Sequence, residues 1–385
     1  MRKLAIITTH PIQYYAPVFR LLHQRQQVNI KVFYTWGELS LNKYDPGFNK
    51  KIEWDIPLLD GYPYEWVKNT SKDPGTHHFM GIVNPHLVHR LNEWQPDYLL
   101  VYGWGFHSHL KIIRYFKNKI PVLFRGDSTL LDEKKGIKSF FKTIFLTWVY
   151  KHVDYALYVG ANNKAYYKKY GLKEDQLMFA PHAIDNKRFG ANRQHEAVLL
   201  RQGPGIERDE LLILFAAKLE EKKAPLQLLD AFLNLNKTGV HLLFVGNGPL
   251  ENQLKQKATD NCYIHFMDFQ NQSQMPAVYQ ACDLFCLPSA GPGETWGLAI
   301  NEAMASGKAI LTSDKVGAAA DLIKPGQNGT IFKAGDLTDL AFHLNDLLQA
   351  GKKALVNMGE CSKKFIKNRD FETQVIVMES IINGE

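Results

Sequence analysis

The 385-residue sequence predicts an α/β protein built of two doubly wound, Rossmann-like domains, and three observations lead there. Short apolar runs that read as buried strands alternate with stretches that read as helices, and this rhythm occurs twice along the chain. Between the two series lies KRFGANRQHEAVLLRQGPGIERD, residues 187–209, polar and glycine-bearing, which reads as a linker. The length also exceeds what one hydrophobic core usually organises. The expected division is residues 1–190 and residues 191–369, with no internal sequence repeat.

In the first half, KLAIITT is a buried strand, HPIQYY a loop and PVFRLLHQR a helix. Open α/β sheets place ligands at the carboxyl ends of their strands, which makes His10, Gln13 and Tyr14 candidate ligand contacts. His10 serves equally well as a cap on the turn before Pro11. VNIKVFYT follows as a second strand. Residues 36–80, rich in Gly, Pro, Asp and Asn and carrying Trp36, Tyr44, Phe48 and Trp54, read as a long structured insertion over the mouth of the sheet.

YLLVYG is the next strand, followed by WGFHSH, the helix HLKIIRYFKNK and the strand PVLFRGD. Trp104, His107, Arg125 and Asp127 then belong to neighbouring strand ends, an aromatic and charged mixture suited to sugars. Arg125 and Asp127 either contact substrate or pair with each other. Residues 136–152, GIKSFFKTIFLTWVYKH, are apolar with Lys138, Lys142 and Lys151 spaced along them. One reading is an amphipathic helix lying on a membrane. The other, favoured by its place between two strands, is a crossover helix in the core. DYALYVG, NNKAYYKKYG and LMFAP continue as strand, helix and strand.

The second series runs LLILFAA, HLLFVG, YIHFM, DLFCLP, AILTS and GTIF, with helical stretches between them. FETQVIVMESIIN closes the chain as a helix over about 370–385.

Composition narrows the function classes. With 45% hydrophobic and 22% charged residues the chain is ordinary for a globular protein. MRKLAIITTH is too short an apolar run for a signal peptide or a span, and no later run reaches membrane length without charge, so a cytoplasmic location is expected. Cys262, Cys282, Cys286 and Cys361 fit neither a disulfide framework nor a zinc pattern. The net charge of +7 is uneven. Residues 1–190 hold 27 Lys and Arg against 16 Asp and Glu, and the remainder 19 against 23. A basic first half without nucleic-acid motifs suggests an anionic ligand or anionic lipid head groups, or simply a solvated basic surface, and no nucleic-acid partner.

The densest chemistry lies in LPSAGPGETWGLAINEAMASG, residues 287–307. A strand ending at Pro288 feeds a Gly-rich loop, and from Trp296 the pattern turns helical, with Gly307 at a C-cap position. The free amides of a helix's first turn bind phosphate, and Gly297 lets a ligand come close. Glu294 stands just ahead of those amides, within reach of a ligand's hydroxyls. Glu302 lies about a turn and a half further on, at the reach of a ribose from a diphosphate seated on Trp296, Gly297 and Leu298. Alternatively, Glu294 is a capping carboxylate and Glu302 a surface residue.

Further motifs accompany this segment. ETWGLAINEAMASG, KAILTSDKVGAAADLI and GQNGTIF, with FAAKLEEKKAPLQLLDAF, VGNGPL and MFAPHAIDNKRF upstream, resemble the donor-binding half of the retaining family 4 glycosyltransferases (glycosyl transferases group 1). The motifs fall in order over about residues 177–335, and the first half resembles the family mainly in layout. Lys218 stands where most members carry Arg, keeping the charge without the bidentate fork. Ala224 replaces a glycine, residues 290–293 lengthen the loop before Glu294, and HPIQYYAP and RGD replace the usual Gly-rich turn and His of the first domain.

The resemblance implies a GT-B fold, two Rossmann-like domains facing each other across a cleft, with the last helix crossing back to the first domain. It implies a hexosyltransferase that moves sugar from a nucleoside diphosphate donor, of UDP or GDP type, to a glycan or lipid-linked acceptor with retention of configuration. The pathway implied is cell-surface polysaccharide or glycolipid synthesis, at the inner face of the plasma membrane. In that scheme Lys218 and Lys223 neutralise the diphosphate, Glu302 holds the ribose and Glu294 the donor sugar, with Gly246 and Gly248 a packing and close-approach turn of the donor-binding half, and with no metal and no further cofactor. Three rivals remain: a binding protein of this fold without catalysis, a sugar-nucleotide epimerase or phosphorylase, and an NAD-dependent oxidoreductase. The last needs a G-x-G-x-x-G after a first strand, which neither HPIQYYAP nor VGNGPLEN supplies.

Overall fold

The computed structural model describes residues 1–385 apart from 43, 46–49, 52, 135, 260 and 385, and the side chains of 39 and 42–52. Phe48 and the side chain of Tyr44 therefore lie outside the described residues. The chain divides into two compact units. The first comprises Met1–Lys43, Ile56–His182 and Phe371–Glu385, and the second Tyr44–Asp55 and Ala183–Asp370.

In chain order the first unit begins with β1 (Lys3–Thr8), α1 (Ala16–Arg25) and β2 (Asn29–Tyr34). A small antiparallel hairpin, β3 (Tyr44–Asp45) and β4 (Lys50–Lys51), belongs to the second unit. The first unit resumes with β5 (Tyr64–Trp66), α2 (Leu87–Trp94), β6 (Tyr98–Tyr102), α3 (His107–Phe116) and β7 (Val122–Arg125). It continues through α4 (Ile137–Tyr150), β8 (Tyr155–Tyr158), α5 (Ala161–Lys169) and β9 (Leu177–Phe179). Its sheet is wholly parallel in the order β5-β2-β1-β6-β7-β8-β9. Both faces of a parallel sheet are covered, which is why LAII and LLV read as unbroken apolar runs and have no exposure.

The second unit opens with α6 (Asn186–Gly190) and α7 (Gln194–Gln202), then β10 (Leu211–Ala216), α8 (Pro225–Leu235), β11 (Val240–Val245), α9 (Glu251–Lys257) and β12 (Ile264–Met267). There follow α10 (Met275–Ala281), β13 (Leu284–Leu287), α11 (Leu298–Ala305), β14 (Ala309–Ser313), α12 (Ala319–Leu322) and β15 (Gly329–Phe332). Next comes α13 (Leu337–Ile366), broken at Gly351 by a φ of 79°. Its parallel sheet runs β12-β11-β10-β13-β14-β15. The order reverses between β10 and β13, so the loops leaving those two strands line the switch point where such sheets hold ligands.

The last helix, α14 (Phe371–Asn383), is part of the first unit. Val375, Met378 and Ile382 are fully buried in the core that contains Leu4, Phe19 and Ile30. Arg25 on α1 donates to Glu379 at 3.0 Å and to Glu372 at 2.5 Å, fixing the helix's register.

Three expectations are corrected. Residues 187–209 are not a linker. Asp185 caps α6 by accepting from the Arg188 amide at 2.9 Å, and Arg201 on α7 donates to Asp283 at 3.1 Å and to the Ala281 carbonyl at 3.0 Å. Of the residues in these two helices only Phe189 and Ala197 are buried, too few to make the apolar stripe that announces a packed helix, and the chain passes from the first unit to the second after His182, not at 190. Residues 36–80 are not one insertion: β5 joins the first sheet beside β2, whereas Trp54 packs edge-on to Phe269 of the second unit at 6.1 Å. Finally, α4 is not sealed into the core. Leu146, Val149 and Tyr150 are buried, while Ile137, Phe140, Phe141, Ile144, Phe145 and Trp148 face solvent.

Candidate functional site

The switch point of the second unit is built from glycines. A Cβ on Gly246, whose φ is +133°, would lie 2.2 Å from the Ala217 carbonyl oxygen, and one on Gly248 would lie 2.5 Å from that of Leu219. Only Gly permits that approach, so the turn after β11 lies against the backbone after β10, where Lys218 begins its loop. The Leu219 amide donates to the Asn247 carbonyl at 3.0 Å and locks the two ends together. The loop then makes one 3-10 turn over Glu221–Lys223, and Ala224 takes a left-handed φ of 51° before Pro225 opens α8. Ala224 thus occupies a conformation that glycine takes more readily.

The second loop arrives from β13. Lys222 accepts the Ala290 amide through its carbonyl at 2.9 Å, which brings the lysine loop and the Glu294 loop side by side. Lys223 Nζ pairs with Glu294 Oε2, and Ser289 Oγ donates to the same oxygen at 3.0 Å. The side chains are 17% and 8% exposed, so the pair lies in a shielded place where charge acts strongly. The Glu294 carbonyl accepts from Gly317 at 3.0 Å and the Trp296 carbonyl from Ala318 at 2.8 Å, which anchors the loop to the segment after β14.

Helix α11 starts at Leu298 rather than at Trp296, with Gly297 as its N-cap at a φ of 94°. A Cβ there would lie 2.7 Å from Val316 Cγ1 and 3.6 Å from Glu294 Oε1, so Gly297 is both a left-handed cap and a close approach to the carboxylate. Trp296 is buried and donates from Nε1 to Asn301 Oδ1 at 2.9 Å, which turns the indole inward. Glu302 is no surface residue: it is 5% exposed and accepts from the Tyr279 hydroxyl at 2.9 Å. The structure therefore brings Lys223, Glu294 and Gly297 together, with Lys218 on the adjoining loop and Glu302 one turn into the helix.

Two polar partners here were not singled out from sequence. Ser289 closes the run DLFCLPS and was legible as a strand-end hydroxyl. Tyr279 sits on α10, and no local pattern links it to Glu302. The cysteines carry no site. All four are free thiols, and burial pushes the Cys282 thiol up to about 12.

In the first unit the candidates fall at the carboxyl ends of their strands. His10 Nδ1 lies 2.8 Å from Thr9 Oγ1, and its ring meets Trp36 edge-on at 5.3 Å. Gln13 and Tyr14 are half-buried on the same loop. Trp104 turns toward α4 and meets Phe145 at 5.5 Å, and His107 meets Phe79 at 6.1 Å. Arg125 serves as a strut: it is 1% exposed and donates to the carbonyls of Ala180 at 2.8 Å and Pro181 at 3.2 Å, tying β7 to the chain leaving β9. Asp127 is half-exposed and stands 3.7 Å from the buried His182, whose pKa is lowered by burial. Burial also pushes the Tyr102 hydroxyl up to about 12 and holds His109 down at about 4. His109 faces Thr35 Oγ1 at 2.8 Å and the carbonyls of Tyr102 and Gly103, which makes it a structural neutral imidazole.

Residues 199–365 match the family model of glycosyl transferases group 1. Among curated proteins, a phosphatidyl-myo-inositol mannosyltransferase of Mycobacterium leprae is 33% identical over 141 residues, covering 36% of this chain and 37% of that protein. An alpha-monoglucosyldiacylglycerol synthase of Acholeplasma laidlawii is 27% identical over 196 residues, covering 48% of each. The chain thus spans less than half the length of these relatives. Among solved structures, Anabaena HepE in complex with UDP superposes with a TM-score of 0.73 over the whole of both chains at 18% identity. Sucrose-phosphate synthase from Thermosynechococcus elongatus gives 0.74 at 14% identity, covering 100% of this chain and 99% of that one. The fold, two parallel-sheet Rossmann-like units, is that of GT-B proteins.

Proposed function

We propose that the protein is a retaining, metal-independent family 4 glycosyltransferase that binds a nucleoside diphosphate sugar of UDP or GDP type on its second unit. The observation that carries this is the shielded Lys223–Glu294 pair beside the Gly297 cap of α11, at the strand-order reversal of the second sheet. The match to the group 1 model over this unit and the UDP held by a protein of like fold support the reading.

In this proposal the diphosphate rests against the first amides of α11, at the positive end of the helix dipole. Lys218 and Lys223 neutralise the charge that grows on it as the sugar leaves, stabilising the transition state with groups already in place. Glu302, oriented by Tyr279, accepts from the ribose hydroxyls. Glu294, held by Ser289, accepts from hydroxyls of the sugar. The acceptor hydroxyl attacks the anomeric carbon on the face the diphosphate leaves, its proton passes to the departing phosphate oxygen, and configuration is retained. No side chain is assigned as nucleophile.

The acceptor, a glycan or lipid-linked saccharide, is assigned to the first unit, where His10, Gln13, Tyr14, Trp104, His107 and Asp127 lie at strand ends. Two relatives named for phosphatidyl-inositol and diacylglycerol favour surface polysaccharide or glycolipid synthesis at the inner face of the plasma membrane. Among the described residues, no helix is long and apolar enough to cross a membrane.

The test is a thermal-shift screen against UDP, GDP, ADP, TDP, NAD and NADP, since a ligand of the folded state raises its melting temperature. One nucleoside diphosphate shifts the native chain and fails on both Glu302→Ala and Lys223→Ala. A shift with NAD alone, or with nothing, defeats the proposal. Turnover of the corresponding sugar donor in excess EDTA is expected to persist, and activity restored only by added magnesium or manganese contradicts the metal-independent scheme.

A further inference from the structure

Helix α4 is apolar on two opposite sides. Leu146, Val149 and Tyr150 face the core of the first unit, and Tyr150 packs edge-on to Phe124 at 5.5 Å and to Tyr167 at 5.4 Å. At 3.6 residues per turn, Ile137, Phe140, Phe141, Ile144, Phe145 and Trp148 span an arc of about 140° on the far side. Ile137 is 79% exposed, Phe141 65%, Phe140 62% and Ile144 54%. No other helix of the chain presents such a row of exposed large apolar side chains among the described residues. An apolar face of this kind signals a partner.

Charge identifies the partner. Between Glu133 and Asp154 the sequence holds Lys134, Lys135, Lys138, Lys142 and Lys151, and no acid. The two flanking acids are engaged elsewhere, Glu133 with Lys169 and Asp154 with Lys117. Lys138 and Lys142 are exposed and border the apolar arc on one side, and the Arg114 guanidinium stands 5.0 Å from the Trp148 ring centre. Aromatic and aliphatic side chains in one row, edged by lysines and an arginine-backed indole, match the boundary between acyl chains and anionic head groups.

We propose that α4 is a membrane-seating helix, which lies flat on an anionic bilayer with Phe140, Phe141, Ile144 and Phe145 below the head groups and Lys138 and Lys142 among them. The proposal stands on the first unit alone and does not depend on the donor assigned to the second.

The experiment is flotation of the full chain, without nucleotide, on vesicles of phosphatidylcholine alone and on vesicles containing about 30% phosphatidylglycerol. Lys138 and Lys142 near a charged surface, at about fivefold each, predict a preference for the anionic vesicles of about 25-fold. Phe141→Ser with Ile144→Ser is expected to lower binding at least tenfold, and Lys138→Gln with Lys142→Gln to abolish the preference for anionic lipid. All four positions are exposed, so melting temperature stays within a degree or two of the native chain, and both double variants keep the same nucleotide response as the native chain. Native-level flotation of the Phe141→Ser, Ile144→Ser variant overturns the proposal. So does the absence of flotation together with a concentration-dependent dimer that Phe141→Ser dissolves, because the face is then an interface between copies.

Discussion

Replacing Lys223 by methionine separates two roles that the geometry superimposes. The cation neutralises Glu294 in the unliganded protein, and in the proposed complex it also serves the diphosphate. Breaking a fully buried ion pair by removing one partner costs about 3–5 kcal/mol. Lys223 retains 17% exposure, so a figure of about 2–3 kcal/mol is appropriate for Lys223→Met. In a unit of this size that lowers the melting transition by roughly 5–10 °C. Glu294→Gln alone strands the ammonium and costs less, because a lysine stem reaches solvent. The double variant removes both charges and is expected within about 1 kcal/mol of the native chain, since neutral replacement of such a pair is nearly free.

Affinity follows a different course. A charge-assisted hydrogen bond to phosphate contributes about 1.5–3 kcal/mol, so Lys223→Met weakens nucleoside diphosphate binding roughly 10- to 150-fold. Glu294→Gln does not restore that bond. Calorimetric titration of the stabilising diphosphate into the native chain, both single variants and the double variant, with melting curves on the same samples, gives the full cycle. Stability recovers in the double variant and affinity does not. If affinity recovers as well, Lys223 acts only as the partner of Glu294 and the transition-state role assigned to it is wrong.

Three other perturbations follow from the same geometry. Tyr279→Phe removes the hydroxyl that donates to Glu302 at 2.9 Å in a buried place, and urea unfolding is expected to show a loss of about 1–2 kcal/mol with nucleotide affinity reduced several-fold. Gly297→Ala forces a side chain into a φ of 94° and to 2.7 Å from Val316 Cγ1, at about 2–4 kcal/mol, and unaltered nucleotide binding in a soluble Gly297→Ala protein contradicts the close approach assigned to that cap. His109, held at about 4, binds fewer protons folded than unfolded, so its contribution is complete above the ordinary pKa near 6.5 and is lost as pH falls toward 4. From pH 7 to pH 5 that removes about 2 kcal/mol from the first unit, measurable as a falling urea midpoint whose slope is reduced in His109→Gln.

The strands were legible because a parallel sheet buried on both faces demands unbroken apolar runs, as in LLILFA for β10 and DLFCLP around β13. The lysine and glutamate loops were legible for a related reason, since their residues follow those strands directly and strand ends converge at a reversal of order. What escaped was set by contacts distant in sequence. Tyr279 meets Glu302 across 23 residues, and Arg125 meets the chain after β9 across more than 50. Helices α6 and α7 escaped because each buries a single residue, Phe189 and Ala197, and is otherwise held by the polar Asp185 and Arg201. Residues 44–55 join the second unit through groups that carry no hydrophobic signature, such as Asp55 with the Ser273 amide at 3.1 Å.

For helix α4 the favoured core reading failed for another reason, and its physics yields a last prediction. A crossover helix must bury one stripe against its sheet, and α3 shows the ordinary solution, with Ile112, Ile113 and Phe116 inside and Lys111, Arg114 and Lys117 outward. In α4 both stripes are apolar, a pattern that periodicity cannot distinguish from a helix buried all round. If half of each exposed side chain enters lipid, the six together contribute about 5 kcal/mol, and the lysines about 1 kcal/mol each. Neither share alone holds the protein firmly. Raising salt from 0.1 M to 1 M shortens the screening length from about 10 Å to about 3 Å. Flotation on anionic vesicles is therefore expected to fall at least tenfold, to the level seen on neutral vesicles, and to stop there. Salt-independent binding removes the lysines from the account, whereas complete release by salt removes the aromatic row.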